Sequence, residues 1–177
     1  MNRKFQEKDL VLATHNFGKI EEFKHLFGNV NFNITDIGKY SGKTPEENGE
    51  SFWENSLIKA RAATKLTGLV SLADDSGLCV DILNGAPGIY SADWAIKSDG
   101  SRDFKFATNK LVREIKKNNF EGPCSAYFIC SLVLYWPDNH FEKFEGKIYG
   151  KIIWPGRGEK GHGYDPVFLP NGYEETF

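Results

Sequence analysis

An α/β or α+β chain, with one long sheet and at least one antiparallel hairpin, is predicted by three observations. Short apolar runs such as Leu10-Val11-Leu12-Ala13 are separated by stretches whose apolar residues recur at helical spacing. Two runs rich in aromatic and β-branched residues, Ser125 to Tyr135 and Phe141 to Tyr149, flank a Pro137-Asp138-Asn139 turn. No repeat, low-complexity tract or long Pro/Gly/Ser linker divides the 177 residues, so one domain is the simplest organisation.

Taken in order, Leu10 to Ala13 reads as a short buried strand and Thr14 to Gly18 as a loop. From Lys19 the residues Ile20, Phe23, Leu26 and Phe27 form a helical stripe that Gly28 ends. Phe32 and Ile34 mark a second strand, and a polar loop runs from Gly38 to Gly49. Ser51 is the expected N-cap of a helix reaching about Leu66, with Glu54 as its capping-box partner and Gly68 closing it. Leu69 to Ala73 is a strand predicted to break into a turn at Asp74-Asp75-Ser76-Gly77, because Asp, Ser and Gly favour turns for local reasons. A further strand follows from Leu78 to Leu83, then a tight loop at Asn84 to Gly88, and a helix over Phe104 to Lys117 with Phe106, Leu111, Val112 and Ile115 apolar. Gly156 to Gly163 holds four of the 18 glycines and is read as a mobile or ligand-hugging loop.

Composition narrows the function classes. An apolar content of 40% with 26% charged residues is that of a globular chain. A net charge of −2 and a pI near 6.1 argue against a binder of nucleic-acid polymers, which shows a basic face. Cys79, Cys124 and Cys130 lack metal-site spacing and lie in apolar runs, as buried thiols of a reducing compartment do. Nothing resembling a membrane span or a secretory leader is present, so a cytoplasmic protein is expected.

Four places carry chemistry. Thr14-His15-Asn16-Phe17-Gly18-Lys19 puts a hydroxyl, an amide and a cation at a helix N-terminus, where free N–H groups and the helix dipole suit an anion; the plainer reading is a Thr/Asn cap. Glu46-Glu47 and Asp75 together offer the one or two carboxylates that Mg²⁺ takes beside phosphates and water, the plainer reading of the loop being a solvated acidic segment. In Asp74-Asp75 strand alternation sends the side chains to opposite faces, so one acid, Asp75, can meet a ligand while the other, Asp74, ties down the turn. Gly161-His162-Gly163-Tyr164-Asp165-Pro166 sets planar side chains beside open backbone, which suits a nucleobase.

In this order these segments resemble the inosine triphosphate pyrophosphatase family. Leu12-Ala13-Thr14-x-Asn16-x-Gly18-Lys19 is similar to its phosphate motif, and Ser51-Phe52-Trp53-Glu54-Asn55-Ser56-Leu57-Ile58-Lys59-Ala60 to its first long helix. Ala73-Asp74-Asp75-Ser76-Gly77-Leu78 with Gly85-Ala86-Pro87-Gly88-Ile89-Tyr90-Ser91 is similar to its most diagnostic block, and Gly163-Tyr164-Asp165-Pro166 to its base-side loop. The resemblance implies an α/β fold: a long mixed central sheet flanked by helices, two lobes with a cleft between them, and a homodimer. It implies Mg²⁺-dependent hydrolysis of non-standard purine nucleoside triphosphates (ITP, dITP, XTP) to monophosphate and pyrophosphate. By the same resemblance Asp75 is the catalytic carboxylate and shares the metal with Glu47, or less favourably Glu46. Thr14, His15, Asn16, Phe17, Gly18, Lys19, Lys59 and Ser76 bind substrate, and His162, Gly163, Tyr164 and Asp165 frame the base.

The sequence departs from the family pattern at His15, where relatives often have Gly, at Asp93, where many have Arg, and at His162, where Phe is common. The family continues beyond the point matching Phe177 with a Lys, a Ser-His-Arg motif and a closing helix. The expectation is therefore a single domain over 1–177, truncated at the C-terminus, with an incomplete clamp on the nucleotide. Two alternatives stand beside it: a house-cleaning phosphatase for modified pyrimidine nucleotides, and a nucleotide-binding remnant without activity.

Overall fold

The computed structural model describes residues 3–118, 122–158 and 161–177. Among them are three α-helices and six strands: β1 (Asp9–Leu12), α1 (Phe17–Phe27), β2 (Asn33–Asp36), α2 (Phe52–Thr67), β3 (Val70–Val80), α3 (Phe104–Lys117), β4 (Cys124–Tyr135), β5 (Phe141–Ile152) and β6 (Phe168–Pro170). The strands form a mixed sheet in the order β2-β1-β3-β4-β5-β6, an α/β architecture. β1 runs parallel to both β2 and β3, as helical crossovers through α1 and α2 require, whereas β5 and β6 are antiparallel. The predicted turn at Pro137-Asp138-Asn139 does link β4 to β5, with Trp136 N–H donating to the His140 carbonyl. No helix among the described residues is long and apolar enough to cross a membrane.

The chain divides into two compact units, residues 1–75 with 130–145 and residues 76–129 with 146–177. In the first unit the alternation of β1 builds two separate cores. Leu10 and Leu12 pack with Leu72 of β3 and Ile20 of α1, while Val11 and Ala13 pack with Ala73 and with Ala60 and Ala63 of α2. The alanines let α2 lie close to its sheet face. The second unit has its own core, in which Leu78 and Val80 meet Ala107, Leu111 and Ile115 of α3, together with Tyr164 and Phe168.

Several expectations need correction. β3 does not break at the acid pair: it is one 11-residue strand running through Asp74-Asp75-Ser76-Gly77. The strand expected at Leu78 to Leu83 is its second half, followed by a 3₁₀ turn at Asp81–Leu83. The carboxylates that would favour a turn in isolation are held by partners from α1 and α2, so the extended backbone survives. Helix α1 begins at Phe17, two residues before Lys19, because Asn16 caps it. Leu26 is 77% exposed and Phe106 is exposed as well, so neither joins its predicted stripe. On the helical wheel Leu26 sits about 90° from the centre of the arc of Ile20, Phe23 and Phe27. The Ser51 hydroxyl caps Glu54 N–H, but the Glu54 carboxylate accepts from the Glu50 N–H rather than from Ser51. Cys79 and Cys124 are buried as expected, whereas Cys130 is exposed; it shares a strand face with Leu132 and Leu134, which are themselves only partly covered. In the glycine-rich loop, residues 159–160 lie outside the described residues.

The N-terminal segment is tied to the first unit by charge. The Arg3 guanidinium lies 4.7 Å above the Trp136 ring and 2.6 Å from Asp138, and the Trp136 indole N–H donates to Glu7 at 2.7 Å. Backbone N–H of Arg3 donates to Glu142 at 2.7 Å. Hydrogen bonds from the His140 backbone and from Arg3 hold Asp138 below its usual range, and those from the Arg3 backbone and His140 do the same for Glu142. Burial pushes Glu7 up, but N–H donors from Gln6 and Trp136 outweigh it and leave it lowered. Depressed carboxylates stabilise the fold above their unfolded values of 3.8 and 4.5 and lose that contribution as pH falls through the folded values. The melting temperature should therefore drop on acidification from about pH 5 to about pH 2, and Arg3→Ala should shrink that drop. An unchanged acid limb in Arg3→Ala would remove the tether from the account.

Candidate active site

The phosphate-type loop is a capped helix entrance in the first unit. The Asn16 side-chain oxygen accepts from the Gly18 N–H (2.9 Å) and the Lys19 N–H (3.4 Å), and the Thr14 hydroxyl oxygen accepts from Asn16 N–H. An added Cβ on Gly18 would lie 3.3 Å from the Asn16 oxygen, so a small residue keeps this cap tight. His15 is engaged on both ring nitrogens, Nε2 with the Ser41 carbonyl (2.8 Å) and Nδ1 with the Thr44 hydroxyl (3.2 Å). It thereby fastens this loop to the polar loop that carries Glu46 and Glu47. Phe17 is 73% exposed.

β3 then delivers its two acids to opposite faces. Asp74 is 5% exposed and shares the side of Val70 and Leu72; its Oδ2 pairs with Lys19 Nζ at 2.5 Å. Burial pushes the Lys19 ammonium down, but Asp74, assisted by Asp75, outweighs this and holds the lysine above its ordinary value. Asp74 thus braces a helix-borne cation rather than a turn. Asp75 faces α2, where three groups converge. The Lys59 ammonium lies 3.6 Å from Asp75 Oδ1 and 2.6 Å from Glu47 Oε2, and the Asn55 amide donates to Asp75 Oδ2 at 3.1 Å. Burial raises the Asp75 carboxyl above the usual range, Lys59 and Asn55 pull it down, Glu47 opposes them, and the net shift is upward. An acid in this environment holds a proton more readily than an exposed one.

Glu47 and Asp75 therefore meet on one positive charge. Two hard carboxylates converging on a cation are a donor set that suits a hard divalent ion, which takes one or two protein carboxylates and completes its shell with water and phosphate. No cluster of three or more His, Cys, Asp or Glu side chains that could hold a metal ion occurs among the described residues. It is Glu47, and not its neighbour Glu46, that reaches Lys59. Ser76 follows Asp75 on β3 with its side chain exposed.

The base-type loop belongs to the second unit. Asp165 accepts from the His162 N–H at 2.8 Å, and Asp165 N–H donates to the His162 carbonyl. Burial raises the Asp165 carboxyl, against the lowering effect of that N–H. The exposed His162 ring packs edge-on against Phe104 with centroids 5.2 Å apart. Gly163 has φ +65°, a conformation that favours glycine. Tyr164 differs from its neighbours: it is 3% exposed, its hydroxyl donates to the Ser91 carbonyl at 3.0 Å, and burial drives its phenol far up. It anchors the loop in the core of its unit, and His162 presents the exposed ring.

Asn55 takes both its partners, Gly49 and Asp75, from outside α2, and Asp74 takes Lys19 from α1. Asn55 and Lys59 lie four residues apart on α2 and so share a face, the one signal that could have joined them. The Lys19–Asp74 pair spans 55 positions and leaves no local trace.

A family model described as "Ham1 family" matches residues 10–177. Among curated relatives, a dITP/XTP pyrophosphatase of Rhizobium meliloti (strain 1021) is 46% identical over 177 residues, covering 99% of this chain and 83% of that protein. One of Ruegeria pomeroyi is 45% identical over 100% of this chain and 86% of that protein. Among solved structures, a HAM1 protein from Coxiella burnetii superposes with a TM-score of 0.88 at 32% identity, covering 96% of this chain and 85% of that one. The Ham1 protein of Staphylococcus aureus gives 0.82 at 35% identity, covering 96% of this chain and 84% of that one.

Proposed function

This chain belongs to the Ham1 family, and on that premise we propose that it hydrolyses non-canonical purine nucleoside triphosphates (dITP, XTP and ITP) to the monophosphate and pyrophosphate. The observation that carries the reading is the meeting of Asp75 and Glu47 on a single positive charge, that of Lys59. A nucleoside triphosphate carries several negative charges, and a chain with net charge −2 must meet them locally. Lys19 and Lys59 are the cations for that task, and Thr14 to Gly18 supply polar backbone and side-chain contacts.

Asp75 and Glu47 would hold a divalent cation, Mg²⁺ by the chemistry of their oxygens, which neutralises phosphate charge when bound. The chain's own part is to take a proton. Water adds through its oxygen to phosphorus, the bond to the oxygen bridging the α and β phosphates breaks, and pyrophosphate leaves with that electron pair. The water proton passes to a carboxylate oxygen of Asp75, whose burial makes it a better acceptor than an exposed aspartate. Base recognition is assigned to His162 and Asp165, the first by stacking and the second by hydrogen bonding to a purine edge.

Initial rates of pyrophosphate release across dITP, XTP, ITP, ATP and GTP test the proposal. Preference for the first three by at least about 10²-fold in kcat/KM is expected, since a site that pairs with keto groups leaves buried partners unpaired against an amino group. Equal rates on ATP and GTP would overturn it.

A further inference from the structure

We propose that Asn55 is a positioning residue that locks the Asp75 carboxylate and the Glu47-bearing loop to one another. The inference rests on the function given above and adds a residue to it.

Asn55 is 4% exposed, and its amide is used at both ends. The side-chain oxygen accepts from the Gly49 N–H at 2.9 Å, and the side-chain nitrogen donates to Asp75 Oδ2 at 3.1 Å. Only one orientation of an amide satisfies both: flipped, it would set N–H against N–H and oxygen against carboxylate. Aspartate lacks the donor and alanine lacks both groups, so the residue type follows from what it joins.

The loop end of this bridge is pressed onto the helix. A Cβ added at Gly49 would lie 2.7 Å from Glu54 Cβ, 2.8 Å from the Asn55 oxygen and 3.0 Å from Asn55 N, so glycine is what permits the approach. Glu50 N–H donates to the Glu54 carboxylate at 2.7 Å and Glu54 N–H to the Ser51 hydroxyl at 3.4 Å, which pins the two following residues to the first turn of α2. Glu47 stands only two residues before Gly49. Its reach to Lys59, one helical turn beyond Asn55, is thus set by the same contacts that orient Asp75. One buried amide fixes the separation of the two carboxylates, which α2 alone could not do because Glu47 lies outside it.

The test compares wild type, Asn55→Ala and Asn55→Asp by steady-state kinetics with dITP, by binding of Mn²⁺ alone followed through its electron paramagnetic resonance signal, and by thermal unfolding. Outer partners of metal-holding carboxylates typically alter metal affinity or activity by about 10–100-fold. Asn55→Ala should lower kcat by about that factor, leave KM within about 3-fold, and weaken Mn²⁺ binding about 10-fold. Asn55→Asp keeps the acceptor for Gly49 N–H but replaces the donor to Asp75 with a second buried carboxylate, so it should melt lower than wild type and lose more kcat than its folded fraction accounts for. Wild-type kcat and Mn²⁺ affinity in Asn55→Ala would overturn the proposal. So would an activity loss that only follows the fraction of folded protein. A wild type inactive on every nucleotide would strike the hydrolase reading instead, and the Mn²⁺ comparison would then decide the role of Asn55 by itself.

Discussion

Asp75→Asn is expected to lower kcat by about 10³-fold while leaving the protein folded. Asparagine has nearly the same volume, and its oxygen can still accept from Asn55, so the packing of β3 against α2 is kept. Two things are lost. The negative charge that meets Lys59 with Glu47 is gone, and no oxygen with useful basicity remains to take the water proton. The neighbouring substitution is the internal control. Asp74 points to the other face and pairs with Lys19, so Asp74→Asn should act on stability and on phosphate binding rather than on kcat. Kinetics and thermal melts of the two variants measured together check this. Comparable kcat losses in both would contradict the division of labour between the faces.

The second large effect is expected from Lys59→Met. This side chain is 11% exposed and stands between two carboxylates, one of them 14% exposed. Methionine fills most of its volume but leaves Asp75 and Glu47 facing each other without a cation between them. Breaking a buried pair costs about 3–5 kcal/mol, and Glu47 is a third exposed, so about 2 kcal/mol is the reasonable size here. For a chain of this length that corresponds to a melting temperature lower by about 4–8 °C. The loss should be seen in chelator and be largely reversed by millimolar divalent cation, since the two carboxylates then regain a positive partner. The variant should at the same time lose much of its kcat/KM, because Lys59 is one of the two cations assigned to the triphosphate. A melting temperature equal to wild type in chelator would show that the three groups are not energetically coupled.

The sequence showed most of what repeats locally. β1, α1, β2 and α2 follow from alternation, helical spacing and the caps Asn16, Ser51, Gly28 and Gly68, all of which act within a few residues. The failure at Asp74-Asp75 has the opposite origin. Local chemistry favours a turn there, and the strand persists because Lys19, Asn55 and Lys59 reach it from helices 16 to 55 positions away. Asn55 meets Gly49 six positions before it and Asp75 20 positions after it, and neither residue's type announces the pairing. Tyr164 shows a different limit. An aromatic ring between Gly163 and Asp165 reads as a stacking surface, but only packing decides that this ring is inside and His162 outside. Apolar type does not bury Leu26 or Phe106, and the wheel angle of Leu26 sets it off the stripe of Ile20, Phe23 and Phe27.

The most direct measurement is ³¹P NMR of the products formed from dITP or XTP by the wild-type protein with Mg²⁺. The account predicts nucleoside monophosphate and pyrophosphate in equal amounts, with no diphosphate at any time and little product from ATP under the same conditions. Orthophosphate with a nucleoside diphosphate, or turnover of ATP as fast as of dITP, would contradict it.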